Sequence, residues 1–543
     1  MGALERLAAG CLLASFPGPE APRWILELLD DGGLAGVVLF AGNVSSVPSL
    51  TERLHSVRPS ALVAIDEEGG DVTRIEAAVG SSFPGNAALG AVDDESLTSE
   101  VAAGIGALLA SVGVDLDLAP CVDVNSDPRN PVIGVRSFAA DPEVVGRHGA
   151  AFVRGLQSAG VAACAKHFPG HGHTSVDSHL ALPVVDADVG LLQARELVPF
   201  VAAISAGVAA IMTAHIVVPS LDAAVPATLS PAVLTGLLRE TLGFRGAIVT
   251  DALDMAGVSS TRGIPGAAVA ALAAGADLCC LGPVPDEDAV AEVIATIAAA
   301  VRAGDLPEAR LHDAATRTAA IRRPPAPPDS GRSAPPGGGD RPETVVSPAG
   351  STGSTVSGRF APLGDRGRPE TAVSAGSSTG PVVSGRSAPL GEVDRPESVG
   401  LVAARRALRV LRPIPGPVVG AHVVELVAAP GIAVGDVPWG LAGPMGALDP
   451  SVTSERVGPG DRPPGAPPGD RPLVIVARDG HRHRWQRDLI GRMTADRPDA
   501  VVVEMGWPDP DPTTVPHLCT HGASRVSAEA AAQLLLGKAP HDG

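Results

Sequence analysis

The chain is predicted to be an α/β protein with an amino-terminal (β/α)8 barrel of the TIM type, a low-complexity connection and a smaller carboxy-terminal α/β region. Three observations lead there. Up to about residue 322, short apolar runs alternate with longer alanine-rich amphipathic segments, the rhythm of parallel strands crossed by helices. Polar residues recur at the carboxyl end of one run after another. Beyond that point the composition collapses into Pro, Gly, Ser, Thr and Arg before apolar runs return.

The runs lie at 11–16, 36–40, 61–65, 114–118, 162–165, 209–213, 247–250 and 276–281. They are almost continuously apolar, as strands buried on both faces must be. Eight of them in about 320 residues fit a closed barrel, with an open doubly wound sheet as the alternative. The first run needs care, because Leu7-Ala8-Ala9-Gly10-Cys11 faintly resembles a lipoprotein processing site. Glu5 and Arg6 precede it and no apolar stretch of normal length fits, so Cys11 is expected to open a buried strand.

The strand ends carry the chemistry. They read Asp66-Glu67-Glu68-Gly69-Gly70, then Ala119-Pro120 with Asp117 and Asp123 nearby, then Lys166-His167, His215 and Asp251. In a barrel, residues at the same end of successive strands converge on one mouth, which is the active-site face. The segment 166–179 is the densest, with Lys166, His167, His171, His173, Asp177 and His179 punctuated by glycine and proline. Such a loop on a rigid scaffold is suited to binding and catalysis rather than to a core.

Between residues 323 and 399 a motif repeats with a 27-residue period: Gly331-Arg332-Ser333-Ala334-Pro335, Gly358-Arg359-Phe360-Ala361-Pro362 and Gly385-Arg386-Ser387-Ala388-Pro389. The copies have almost no apolar face to stack, so a disordered linker is expected rather than a solenoid. The expected domains are therefore 1–322, 323–399 and 400–543. In the last, strands are predicted at 418–427, 473–477 and 500–504. Helices are predicted at 486–494 and 527–536, the second opened by Ser527. Trp439, Trp485 and Trp507 are expected to pack in its core. A fragment ending near Arg322 is expected to carry the whole pocket.

Composition excludes several classes. A formal net charge of −19 argues against a nucleic-acid partner or an anionic membrane surface. No run of eighteen or more apolar residues lacks charges or breakers, so no membrane insertion is expected. The six cysteines show no CxxC spacing and several sit in apolar runs, which suits a reducing compartment and a cytoplasmic location.

The candidate residues define a reaction. Asp251, fixed at a strand end, suits a nucleophile that needs near-attack geometry. Asp177 and His179 are two residues apart and can touch in an extended loop, the carboxylate raising the basicity of the imidazole in a general acid/base pair. A carboxylate nucleophile with a general acid is the equipment of a retaining glycosidase. Asp66, Arg74, Arg136, Lys166 and His167 could form charge-assisted hydrogen bonds to sugar hydroxyls. The sequence contains no tyrosine, which excludes a tyrosine nucleophile.

These stretches resemble glycoside hydrolase family 3, in its β-N-acetylhexosaminidase (β-N-acetylglucosaminidase) branch. The resemblance is carried by Asp66-Glu67-Glu68-Gly69-Gly70-Asp71-Val72-Thr73-Arg74, by the segment 130–138, by the segment 166–179 with its Asp177-Ser178-His179, by Met212-Thr213-Ala214-His215 and by Thr250-Asp251-Ala252-Leu253-Asp254-Met255. It covers the barrel to about residue 322; the carboxy-terminal region is similar, more weakly, to the α/β sandwich of some bacterial members. It implies a hydrolase with Asp251 as nucleophile and His179, assisted by Asp177, as acid/base. It also implies that Asp66, Arg74, Arg136, Lys166 and His167 hold a terminal N-acetylglucosamine. The implied partner is a glycan or muropeptide carrying that sugar, as in peptidoglycan turnover, with no cofactor and no metal. A neutral imidazole as base would also admit phosphate as the acceptor, so phosphorolysis is an alternative. Two further alternatives are a metal-dependent amidohydrolase, using His171, His173, Lys166, His215 and Asp251 as ligands, and a non-catalytic sugar-binding barrel. Asp254 is expected in the first turn of the next helix, stabilising its amino terminus.

Overall fold

The computed structural model describes residues 1–31, 33–174, 182–283, 286–322, 398–428, 431, 434–462, 464, 471–508 and 514–538. Each of the eight predicted runs forms a strand: β1 (Leu12–Ala14), β2 (Gly36–Leu39), β3 (Leu62–Ile65), β4 (Leu116–Asp117), β5 (Ala162–Phe168), β6 (Ala210–Thr213), β7 (Ala247–Thr250) and β8 (Cys279–Cys280). They form one sheet in the order β7-β6-β5-β4-β3-β2-β1-β8. All neighbours run parallel. The two ends approach one another, with a bridge from Val249 to Leu278 and the Thr250 amide donating to the Leu278 carbonyl at 2.9 Å. The sheet is therefore a near-closed barrel.

Strand periodicity splits the apolar residues into two cores. Leu13, Val38, Leu62, Ala64, Leu116, Cys164, Met212, Val249 and Cys280 share the inner core. Their chain neighbours Leu12, Val37, Val63, Ile65, Ala163, Ile211, Ile248 and Cys279 pack outward with helical residues such as Ile105 and Phe152. Both faces are dry, which is why the sequence shows continuous runs instead of alternation. Cys11 is buried at the start of β1, and burial pushes its thiol up to about 12.

The crossing helices begin where short side chains satisfy their exposed amides. Asp94 accepts from Ser96 and Leu97 at the head of Glu95–Ser111, Asp141 from Glu143 at the head of Pro142–Ser158, and Asp286 from Ala289 at the head of Glu287–Ala303. Each such cap stabilises by about 1 kcal/mol. Gly304 ends the last helix in the left-handed conformation.

The carboxy-terminal region is a second sheet of β9 (Arg409–Arg412), β10 (His422–Leu426), β11 (Thr453–Val457), β12 (Leu473–Ala477), β13 (Val501–Glu504) and β14 (His517–Cys519). Its order is β11-β10-β12-β13-β14-β9, parallel except for β9 against β14. Helices Arg484–Asp496 and Arg525–Leu535 flank it. The second is capped by Ser524, whose side chain accepts from the Ser527 amide, and not by Ser527 as the sequence suggested. Trp439 and Trp485 pack against its two cores.

Helix Val399–Ala407 ties this region to the barrel by packing on Asn86–Val92 and Glu95–Ser111. The contact is tight at Gly400, where any side chain would collide with the Ser82 carbonyl. The expected disordered linker falls on residues outside those described. Among the described residues no helix is long and apolar enough to cross a membrane.

Candidate active site

A cavity of about 610 Å³ opens at the carboxyl ends of the barrel strands. Strand periodicity aims its polar lining. Ala64, Cys164 and Val249 face the inner core, so the residues two further on, Asp66, Lys166 and Asp251, face the same way at the mouth. Arg74, Arg136 and His167 line the same cavity.

The base of the cavity is a closed network of charge. Lys166, only 2% exposed, places Nζ 2.6 Å from Asp66 Oδ1 and 2.7 Å from Glu68 Oε1. Arg136 donates to both oxygens of Glu68, Nη2 at 2.6 Å and Nε at 3.0 Å. Burial opposes every charge here. For Lys166 the carboxylates of Asp66 and Glu68 outweigh burial and hold its pKa above the usual lysine range. For Glu68 burial is likewise outweighed, by Arg136 and Lys166, and its carboxyl stays ionised well below the usual range. The pairing fixes both cations in place in the cavity lining.

A second network orients the histidines. Asp123 Oδ2 lies 2.6 Å from His167 Nδ1, and Asp123 Oδ1 accepts from the backbone amides of His167 at 3.2 Å and His171 at 2.7 Å. Burial would raise the Asp123 carboxyl, but His167 and His171 draw it well below its ordinary value. His171 is itself buried, which pushes its pKa down to about 4. The Lys166–His167 and Phe168–Pro169 peptides are cis.

Cys121 donates its thiol to Asp123 at 3.2 Å, and Cys121, Asp123 and His167 are the grouping of potential metal ligands found among the described residues. It differs from the amidohydrolase set. Of that set, His215 places Nδ1 2.8 Å from Thr228 Oγ1 and Nε2 3.0 Å from the Ala252 carbonyl, and His173 Nδ1 sits on Ser126. His215 therefore holds the turn after β7, one residue beyond Asp251, whose Oδ1 accepts from the Ala252 amide at 2.8 Å.

Asp254 does not lie in the first turn of the next helix, where the sequence suggested it. The helix starts at Ala256, its cap residue Met255 has no side-chain cap, and Asp254 instead lines the cavity. Gly282 leaves no room there for a side chain against the Asp254 carboxylate.

The expectation that a fragment ending near Arg322 carries the whole pocket is also corrected. Val434, Gly435, Asp436 and Val437, from the carboxy-terminal region, line the cavity. Arg74 Nη1 reaches the Val434 carbonyl at 3.4 Å. Three residues before Arg74, Asp71 is 6% exposed and forms an ion pair with Arg478. The Ala523 amide donates to Asp71 Oδ1 at 2.6 Å. His481 Nε2 lies 2.8 Å from the Pro128 carbonyl. Gly70, at φ +62, makes the turn between Glu68 and Asp71 possible, with no space for a side chain against Gly85.

Of the sequence-predicted residues, the structure brings Asp66, Arg74, Arg136, Lys166, His167 and Asp251 onto one cavity. Asp177 and His179 lie outside the described residues. Sequence reasoning did not single out Glu68 and Asp123, although both stand in polar strings at strand ends. It gave no signal for the 434–437 turn.

Residues 18–321 match the family described as Glycosyl hydrolase family 3 N terminal domain. Over 281 residues the chain is 42% identical to the Beta-hexosaminidase A of Pseudoalteromonas piscicida, an overlap of 47% of each protein. The chain thus spans about half the length of that relative. It is 38% identical over 277 residues to the Beta-hexosaminidase of Methylococcus capsulatus, covering 50% of this chain and 82% of the relative. Among solved structures, a glycoside hydrolase family 3 beta-N-acetylglucosaminidase from Paenibacillus sp. str. FPU-7 is similar with a TM-score of 0.77 and 28% identity, over 99% of this chain and 98% of that one. The Beta-N-acetylhexosaminidase from Beutenbergia cavernae is similar with a TM-score of 0.54 and 29% identity, over 60% of this chain and 99% of that one.

Proposed function

Because this chain belongs to glycosyl hydrolase family 3, in its β-hexosaminidase branch, we propose that it is a retaining exo-β-N-acetylglucosaminidase that removes terminal, non-reducing β-linked N-acetylglucosamine. The observation that carries this reading is the placement of Asp251 on one cavity with the Asp66–Lys166–Glu68–Arg136 network.

In the first step a carboxylate oxygen of Asp251 bonds to the anomeric carbon as the glycosidic bond breaks. His179, with Asp177 behind it, gives a proton to the departing oxygen. In the second step His179 takes a proton from water, whose oxygen displaces Asp251 with a second inversion and so net retention. Asp66, Lys166, His167, Arg136 and Arg74 hold the terminal sugar. Their rigid pairing means that little ordering is required when the substrate arrives. The substrate class is a glycan or muropeptide ending in N-acetylglucosamine.

Asp251→Asn should lower kcat by several orders of magnitude without altering the fold. A slow fluorinated glycosyl donor should label the peptide containing Asp251. A label elsewhere, or near-normal turnover by the variant, would overturn the assignment. Running the reaction in phosphate separates hydrolysis from phosphorolysis, since only the latter yields a sugar 1-phosphate.

A further inference from the structure

We propose that Asp436 makes the outer part of the cavity selective for the charge of the leaving sugar, favouring one with a free 2-ammonium group over one with a carboxylate. The inference rests on the glycosidase reading of the cavity and adds to it the class of group bound beyond the terminal N-acetylglucosamine.

The argument begins with charge. Among the described residues the cavity lining carries three fixed cations, Arg74, Arg136 and Lys166, against five carboxylates, Asp66, Glu68, Asp251, Asp254 and Asp436. The cations at the base are already matched. Lys166 is shared between Asp66 and Glu68, and Arg136 is held by both oxygens of Glu68. Beyond them Arg74, half-buried and donating to the Val434 carbonyl, stands with Asp251, Asp254 and Asp436, so the rest of the described lining is still acid-rich, with Asp254 and Asp436 both exposed. A cleft lined by one sign of charge focuses that field on whatever enters it.

Asp436 also differs from the other acids in origin. Asp66, Glu68, Asp251 and Asp254 belong to the barrel; Asp436 is the one acidic side chain that the turn 434–437 adds to the lining. The turn is held against the barrel through the Arg74 bond to the Val434 carbonyl, and its neighbourhood through the Asp71–Arg478 pair. A cavity of about 610 Å³ leaves space beyond one sugar ring. With the terminal sugar assigned to the buried end, at Lys166 and Arg136, the exposed Asp436 faces the leaving sugar. Asp436 is exposed, so it does not need a buried partner. Its effect is a modest, salt-screened bias on which leaving sugars are accepted.

The test uses three disaccharides that share a non-reducing β-1,4-linked N-acetylglucosamine. They differ in the reducing sugar: glucosamine, N-acetylglucosamine or N-acetylmuramic acid. The full chain, Asp436→Asn and Asp436→Lys are compared by kcat/KM at low ionic strength and about pH 6, where an amine of this kind is protonated. Each value is referred to the neutral disaccharide of the same enzyme. The parent chain should rank ammonium above neutral above carboxylate. The ammonium-to-carboxylate ratio should fall roughly two- to fivefold in Asp436→Asn, fall further in Asp436→Lys, and narrow as salt is added. Comparing ratios across variants cancels the extra bulk of the lactyl group. Equal ratios in all three proteins, or a parent enzyme whose preference for the carboxylate substrate survives Asp436→Lys, would overturn the inference while leaving the glycosidase reading intact. Failure to cleave any of the three would overturn both.

Discussion

Arg478 Nη2 lies 2.6 Å from Asp71 Oδ2, joining the residue after β12 to the loop after β3. The Asp71 side chain is 2% exposed, so this pair stands in place of solvent. Burial pushes the Asp71 carboxyl up, and Arg478 with the Ala523 amide draws it back. Removing one member of a buried pair leaves the other uncompensated. Arg478→Met should therefore lower the unfolding free energy by about 3 kcal/mol in a denaturant titration. Adding Asp71→Asn should recover part of that loss, since asparagine can still accept from the Ala523 amide. If the single variant unfolds at the parent midpoint, the pair contributes nothing to stability.

Glu67 gives the protein a pH dependence of known sign. It is buried, and burial raises its pKa from 4.5 to about 7 despite hydrogen bonds from Thr73, Ile75 and Arg74. Between those values the unfolded chain releases the proton while the folded chain keeps it. Its stabilisation is thus fully present below about 4.5 and is lost as pH rises through about 7. Glu67→Gln keeps an acceptor for the Arg74 and Ile75 amides but cannot titrate. The difference in unfolding free energy between the two proteins should change by on the order of 2–3 kcal/mol across that window. Parallel stability curves would show that Glu67 does not keep its proton.

Asp123→Asn should cost activity without emptying the cavity. The aspartate sets the ring of His167 and the backbone of His171 at once. A neutral amide can fill the same volume, yet it loses the charge that holds His167. A shift of an ångström in a positioning group can cost about a hundredfold, so kcat/KM should fall roughly ten- to a hundredfold with the melting temperature little changed. Unchanged kcat/KM would mean that His167 is held by something else.

The barrel was legible because its strands are dry on both faces. Even β4 and β8, two residues each, lie inside longer apolar runs that mark them. The two edge strands of the second sheet, and β14 beside one of them, were not legible. β9 and β11 are largely exposed and read as polar chain, and β14 is a three-residue strand starting with His517. The same contrast holds in the site. Asp66, Lys166 and Asp251 follow inward-facing residues by two and could be placed by periodicity. Glu68 and Asp123 act through partners far away in sequence, Arg136 and His167, and periodicity says nothing of such pairs. The 434–437 turn reaches the cavity through a tertiary contact that no local pattern encodes.

The loop from Asp66 to Arg74 meets the barrel network at Glu68 and the second sheet's region at Asp71. Its amide protons therefore sit in two protecting environments at once. In hydrogen exchange, the Arg74 and Ile75 amides, bonded to Glu67, should not open with the free energy of an isolated surface loop. They should exchange together with the amides of Ala523 and its neighbours, because the opening that frees one frees the other. The cavity and the junction between the two sheets would then behave as one cooperative unit, and a solvent or temperature change that loosens the junction would reach the cavity lining before either sheet unfolds.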